Sequence, residues 1–414
     1  MVHQNKFFLQ ETILNNLNYE TNNPIKLAQD LIKLPSVTPL DEGAIELLSS
    51  VLKTLGFVCH IKKFSSPNTD EITNLYARLG DQNPNFCFAG HTDVVPSGPS
   101  ESWDSDPFSG HISDGNLYGR GAADMKSAIA AFVCAVGSIT ELYGPPSKWE
   151  FPGSISLLIT GDEEGPAING TRKLLEWLEK KEEVISTCIV GEPTNESVLG
   201  DMIKIGRRGS LNGTLKVNGI QGHTAYPHLA QNPIHHLIYI LQSLIYEPLD
   251  QGTEHFQAST FQISNIDVGN RATNVIPASA TAQFNIRFND LHTSESIRKL
   301  LVKRIAAAID EEKVDYELDI HVSGECFLTP PGTLSNILIS SIKEVTGKTP
   351  TLSTTGGTSD ARFIKNYCPV AEFGLVGKTM HKANENVLCS DVDALSKIYF
   401  SVIKKYFQFE DSNY

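Results

Sequence analysis

Residues 86–96 read FCFAGHTDVVP. An apolar run of strand character ends on a glycine, His91 follows at once, and Asp93 comes two residues later. Short apolar runs bounded by turn residues predict buried strands, and in an open α/β sheet the working groups gather just beyond the carboxyl ends of such strands. The same pattern returns in ISLLIT-GDEEG (155–165) and CIV-GEPT (188–194), which set Glu163, Glu164 and Glu192 directly after apolar runs. Two glycine-rich turns add one candidate each: LYGRGAADMKS (117–127) carries Asp124 and GLVGKTMHKANENV (374–387) carries His381.

Outward from this stretch, helical and strand-like segments alternate from Lys26 to about Gly206, with helices predicted from about Met125 to Leu142 and over 171–183, so the chain reads as α/β. From about Arg207 to Val322 the order changes to strand (GSLNGTLKV), helix (NPIHHLIYILQSLIY), strands (STFQISNI, ATAQFNIRF), helix (SIRKLLVKRIAAAID) and strand (YELDIHV). That βαββαβ order is ferredoxin-like. After Gly324 the alternation resumes through helices at LSNILISSIKEVTG and DALSKIYFSVIKKYF with a strand at CPVAEFG. The expected organisation is a catalytic domain made of residues 1–206 and 324–414, interrupted by an inserted domain at 207–323. Insertion is preferred to three consecutive domains because His381 has to return to His91 if the two share a metal shell. Met1 to Asn23 reads as an N-terminal extension, and Tyr143 to Gly153 as a loop insertion.

A chain of 414 residues with 40% hydrophobic and 20% charged composition exceeds one comfortable core, which agrees with two domains. A formal net charge of -14 argues against nucleic acid or an anionic membrane as partner, since both demand a surplus of Lys and Arg. The opening residues lack the apolar core of a signal peptide and no apolar run approaches the roughly 20 residues of a membrane span; a cytoplasmic address is expected. Seven scattered cysteines form no CxxC pair and read as packed thiols.

Each candidate has a plain structural alternative when taken alone. Asp124 opens a helix and could be its N-cap; Glu163 and Glu164 could be a solvated turn; His91 and His381 could be structural histidines. Together they form a set. Adjacent acids at a strand end repel unless cations or a shared proton compensate, and a two-oxygen carboxylate such as Asp124 can bridge two cations about 3.5–4 Å apart. The reading is His91, Glu164, Glu192 and His381 as terminal metal ligands, Asp124 as the bridge, and Glu163 as the general base left over. Residues two apart on a strand face the same way, so Asp93 is expected to orient the His91 ring through its carboxylate. Two imidazoles, carboxylates and no cysteine favour two Zn2+ ions, with Co2+ or Mn2+ as substitutes.

These segments, with GRRGSL (206–211), GIQGHTAYPHLAQNPIH (219–235), NVIPA (274–278) and TTGGTSDARFI (354–364), resemble the co-catalytic di-zinc amidohydrolases, the group of aminoacylase, acetylornithine deacetylase and succinyl-diaminopimelate desuccinylase. The likeness runs from Pro24 to the C-terminus, and the combination of GRRGSL, QGHTAYPHLAQNPIH and GGTSDARF is most similar to the desuccinylases. The resemblance implies a di-zinc aminopeptidase-like catalytic domain, an inserted dimerisation domain that makes a homodimer, and a small-molecule substrate, N-succinyl-L,L-2,6-diaminopimelate, with N-acetylornithine as the alternative. It implies His91 and Glu192 on one zinc, Glu164 and His381 on the other, and His223 reaching the partner's active site to steady the oxyanion. It further implies Arg207 and Arg287 as carboxylate grips, a use that suits the paired hydrogen bonds of guanidinium, with Lys204, Tyr226, Asn274, Gly357, Thr358 and Ser359 nearby.

Overall fold

The computed structural model describes residues 22–149, 153–309 and 314–410; the N-terminal extension through Thr21 lies outside them. The chain forms two compact units. One runs to Ile205 and takes in Thr329–Ser353 and the chain from Ser359 onward, and the other comprises Gly206–Leu328 with Thr354–Thr358. The inserted unit is thus longer than residues 207–323 and includes a second visit of the chain. Thr354 joins it by donating its hydroxyl to the His255 carbonyl at 2.5 Å, and the Arg207 guanidinium donates to the Thr355 carbonyl at 3.4 Å.

The first unit is built on an eight-stranded sheet in the order Val58–Phe64, Ile72–Leu79, Ser154–Thr160, Asn85–His91, Thr187–Val190, Val370–Glu372, Met202–Lys204, Thr351–Ser353. Asn85–His91 lies parallel to both of its neighbours, with His91 opposite Thr160 and Ala89 opposite Val190, while Val190 faces Glu372 across the next parallel pair. This register is what assembles the candidate residues. Strands that end level at one sheet edge bring the segments HTD, GDEEG and GEPT out side by side, although they are up to about a hundred residues apart in sequence.

The strand Asn85–His91 is buried at every position, as parallel strands covered on both faces are. One cover is the helix Ser127–Tyr143, buried from Ser127 to Gly137; another is the closing helix Cys389–Tyr406. Phe88 stacks on Phe132 at 4.4 Å between ring centroids and meets the Tyr399 ring edge-on at 5.6 Å. Truncating such a ring to alanine removes about 3–5 kcal/mol of stability, so the strand that ends in His91 is held by its own core. The one segment among the described residues long and apolar enough to cross a membrane is Ala122–Lys148, and 94% of its most apolar 18-residue window is buried within the fold, which is the behaviour of a core helix. The loop insertion packs on the chain end: Tyr143 stacks on Phe409 at 4.5 Å and Trp149 meets Phe407 at 5.0 Å.

The second unit is an antiparallel four-stranded sheet in the order Thr260–Asp267, Ser279–Phe288, Gly209–Asn218, Asp315–Gly324, the strand order of the ferredoxin-like arrangement. Gly209–Asn218 alternates buried with partly exposed positions along most of its length, the period-2 signature of a half-covered strand. Its buried side chains, among them Leu211, Leu215 and Val217, join Phe284 and Ile286 and the apolar stripes of the helices Pro233–Tyr246 and Ser294–Ala308 in one core.

Candidate metal centre

Two glycines fix the approach of the loops. A Cβ on Gly90 would lie 2.5 Å from Met125 Cε, and one on Gly191 would lie 2.4 Å from Phe88 and 2.7 Å from Met125 Cε. Only glycine in front of His91 and of Glu192 lets Met125, next to Asp124, reach in between the two strand ends. Asp124 sits in a turn that leaves helical geometry, with φ -126° and ψ 93°, so its carboxylate faces the sheet edge and does not cap the helix behind it.

There the candidate ligands meet. His91 Nε2 lies 3.1 Å from Asp124 Oδ1 and 3.9 Å from Glu192 Oε1. His381 Nε2 lies 3.2 Å from Asp124 Oδ2 and 2.8 Å from Glu164 Oε1. The two Asp124 oxygens therefore face different imidazoles, each with a second carboxylate beside it. Ligand atoms of His91, Glu163 and Glu192 fall within 4.8 Å of one another, as do those of His91, Asp124 and Glu164. Nitrogen and oxygen donors in this number, with no thiolate among them, fit two borderline divalent cations. The two imidazoles differ in access: the His91 side chain is 1% exposed and that of His381 45%.

The charges follow from the geometry. Burial opposes charge on His91, but its bond to Asp124 and the nearby Glu163 and Glu192 outweigh it and push its pKa well above the ordinary value. His381 is raised to about 10 by its bonds to Asp124 and Glu164. Asp124 is opposed by burial, yet the two imidazoles hold it below the usual carboxylate range. Burial first and Glu192 second push Glu163 well above its ordinary value, so it holds its proton more tightly than an ordinary glutamate.

Asp93 behaves differently from its sequence reading. His91 Nδ1 bonds the Asp93 backbone carbonyl at 2.9 Å, whereas the Asp93 carboxylate stands 3.7 Å off. That carboxylate instead accepts the backbone N–H groups of Glu163 at 3.2 Å and Glu164 at 3.0 Å. The strand ends at His91, so strand alternation no longer governs Asp93 and its side chain turns toward the neighbouring loop. One residue thus orients the imidazole through its main chain and the paired glutamates through its side chain. Burial pushes Asp93 up to about 7. Sequence reasoning passed over Asp162, whose carboxylate accepts from the amides of Ala167, Ile168 and Asn169 at 2.8–3.1 Å and shapes the GDEEG loop.

The expected substrate-binding residues divide between the units. In the first, Lys204 is buried and its Nζ donates to Ser353 Oγ at 3.3 Å, and the buried Ser359 hydroxyl donates to Glu372 at 2.6 Å, an engagement the sequence did not foretell. In the second, His223 pairs with Val275 in a two-stranded ribbon, its ring 5.8 Å from that of the exposed Tyr226, and the Asn274 carbonyl accepts from the Thr224 amide. Arg287 Nε donates to Asn285 at 3.1 Å, and burial together with Arg208 lowers its pKa. Arg207 rests against Gly356, where a Cβ would lie 2.5 Å from its Nη1; Gly356 is a contributor that the sequence reading missed, and Gly357 and Thr358 follow it in the same strap.

The model of peptidase family M20/M25/M40 matches residues 87–405. A succinyl-diaminopimelate desuccinylase of Rhodospirillum centenum is 59% identical over 384 residues, 93% of this chain and 97% of that one. Among solved structures, an M20 family metallo-carboxypeptidase from Sulfolobus solfataricus superposes with a TM-score of 0.74 at 19% identity, covering 93% of this chain and 99% of that one. A dinuclear metal-binding M20 peptidase from Bacillus subtilis gives 0.67 at 14% identity, covering 94% and 99%.

Proposed function

The chain belongs to peptidase family M20/M25/M40, and we propose on that footing that it hydrolyses the succinyl amide of N-succinyl-L,L-2,6-diaminopimelate to succinate and L,L-2,6-diaminopimelate, a step of diaminopimelate and lysine biosynthesis. The observation that carries the chemistry is the Asp124 carboxylate shared between two imidazoles, with Glu163 beside them. The substrate rests on near-full-length identity to a desuccinylase. His91, Glu192 and one Asp124 oxygen would hold one cation; His381, Glu164 and the other Asp124 oxygen would hold the second. Zn2+ is the proposed ion, with Co2+ or Mn2+ as substitutes, and such ions supply Lewis acidity that polarises the amide carbonyl and lowers the pKa of water.

Glu163 takes the proton of the attacking water as oxygen adds to the amide carbon, and returns it to the nitrogen as the C–N bond breaks. Its raised pKa suits a group that must accept and then release one proton. Asp93 fixes the direction of Glu163 and Glu164 by holding their amides. Arg207 and Arg287 are the proposed grips for substrate carboxylates, assisted by Lys204, Tyr226, Asn274, Gly357, Thr358 and Ser359. His223, contributed across a homodimer, donates to the developing oxyanion. Support for the dimer is the exposed apolar set Ile238, Tyr239, Ile245 and Tyr246 on one helix of the second unit. The proposal includes a cytoplasmic address, in keeping with seven free cysteines.

The test is metal analysis of the purified protein together with succinate release from the diaminopimelate substrate, with and without chelator, against acetate release from N-acetylornithine. Chelation should abolish turnover and Zn2+ restore it; preference for the acetyl substrate would move the specificity to the alternative. For the homodimer, inactive His223→Ala and inactive Glu163→Ala chains should regain activity when mixed, and lack of rescue would remove the crossing histidine.

A further inference from the structure

The motif residues account for Asp124 and His381 but not for what holds their two loops together. Both loops are irregular, and His381 and Asn384 have positive φ, +62° and +56°, in the left-handed region that histidine and asparagine enter more readily than most residues with a Cβ. Beneath them lies a fully buried ion pair that the chemistry above does not use. Arg120 is 2% exposed and Glu385 is 0% exposed.

Glu385 Oε2 accepts from Arg120 Nη1 at 2.6 Å, and Oε1 accepts the N–H groups of Ala123 at 2.8 Å and Asp124 at 3.2 Å. Its own carbonyl accepts from the Gly119 amide at 2.9 Å. Arg120 also donates from Nη1 to the carbonyl of Lys382, next to His381, at 3.2 Å, and from Nη2 to the carbonyl of Pro96 in the loop after His91 at 3.3 Å, while its Nε finds no partner among the described residues. The guanidinium also lies over the Trp103 ring, 5.3 Å from its centre, and Trp103 in turn donates to the Ser97 carbonyl at 2.8 Å. One ion pair therefore ties the loop after His91, the turn of Asp124 and the loop of His381 at a single point.

We infer that Arg120 and Glu385 are positioning residues that pre-set the spacing of Asp124 and His381 for two cations. Neither reaches the ligand atoms; each acts on the backbone that carries a ligand. An ammonium also has three donors, but all on one atom, whereas the guanidinium spreads its donors over a planar fork whose Nη1 and Nη2 reach acceptors in different loops, so lysine is not a geometric equivalent. A carboxylate that accepts two successive peptide N–H groups fixes the plane of the Asp124 turn, and with it the directions of the two oxygens that face different imidazoles.

The inference rests on the two-cation reading of the site, and its test separates the two. Single truncation leaves an uncompensated buried charge and endangers folding, whereas apolar replacement of both partners is often neutral for stability. The informative variant is therefore the double substitution Arg120→Met with Glu385→Leu, alongside Glu385→Gln. Metal-free full-length proteins would be titrated with Co2+, following visible absorption and heat, with thermal unfolding measured on the same samples. The expected result is a folded double variant whose Co2+ affinity is weakened about 10–100-fold, the range for loss of a group that orients metal ligands, with an altered Co2+ spectrum and a kcat that falls while KM holds. Glu385→Gln should move the spectrum and affinity in the same direction, and it decides the matter if the double variant does not fold. Wild type that takes up two equivalents, with folded variants that match its affinity and spectrum, overturns the clamp alone. Wild type that takes up fewer than two removes the reading beneath it, and the clamp with it.

Discussion

Two carboxylates, one in each unit, meet burial in opposite ways. Glu163 faces Glu192, Glu164 and Asp360 in addition to His91, and its pKa is pushed well above the ordinary value, burial being the largest cause. Asp250 is also opposed by burial, yet it is lowered from 3.8 because donors surround it, the Ser259 side chain first among them, with the amides of Gly252 at 2.7 Å and Ser259 at 3.1 Å, and the Asn289 side chain at 2.6 Å. Asp250 is satisfied by its own fold. Glu163 is placed where the fold leaves an acid uncomfortable, and so holds a proton at a pH where an ordinary glutamate has lost it. In this pair the stabilised acid serves the architecture, and the destabilised one is placed for proton transfer.

Removing each carboxylate as its amide should break the two cases differently, and the larger effect belongs to Glu163. Glu163→Gln keeps the shape and hydrogen-bonding reach but cannot carry the proton between water and leaving nitrogen. Turnover is expected to fall about 10²–10⁴-fold, the usual weight of a positioned acid–base group, with metal content and thermal stability unchanged. Metal analysis beside steady-state kinetics reads both. Variant turnover equal to wild type would take the base role from Glu163, while loss of one metal equivalent would make it a ligand, which its 4.8 Å grouping with His91 and Glu192 also permits.

The same contrast explains what could be seen in the sequence. Strand ends followed by glycine announced His91 and Glu192, because the continuous apolar runs before them, buried at every position, are local facts, whereas the approach of Met125 to Gly90 and Gly191 shows only in the fold. The βαββαβ order of the second unit was legible for the same reason: its core is written in strand alternation and two amphipathic helices. Asp93 was legible as a partner of the site but not by which atom, since the choice between its carbonyl and its carboxylate is made by the 163–164 amides, some seventy residues away in sequence. Arg120 and Glu385 were quoted inside motifs without a role. Charged residues in glycine-rich or polar turns look solvated in sequence, and only the tertiary fold, joining positions 265 residues apart, buries them against each other. The strap at Thr354–Thr358 was missed likewise, because a chain's return to an earlier unit leaves no periodic mark.

The smaller effect belongs to Asp250, and its sign is opposite to that of a destabilised acid. A carboxylate whose native pKa lies below its unfolded value contributes stability above the unfolded pKa, and that contribution is lost as pH falls through the native one. Asp250→Asn replaces an acceptor by a donor among the Gly252, Ser259 and Asn289 donors, so at pH 7 it should lower stability by about 1–2 kcal/mol, the scale of a charged hydrogen-bond acceptor lost from a largely buried site. Metal content should stay the same. The difference between variant and wild type should shrink as pH is lowered past 3.8, because first the unfolded chain and then, below the lowered native value, the folded carboxylate takes up a proton. Urea unfolding at pH 7 and near pH 3 reads the effect. Equal differences at both pH values would mean that Asp250 acts by shape alone, and the contrast with Glu163 would then reduce to packing.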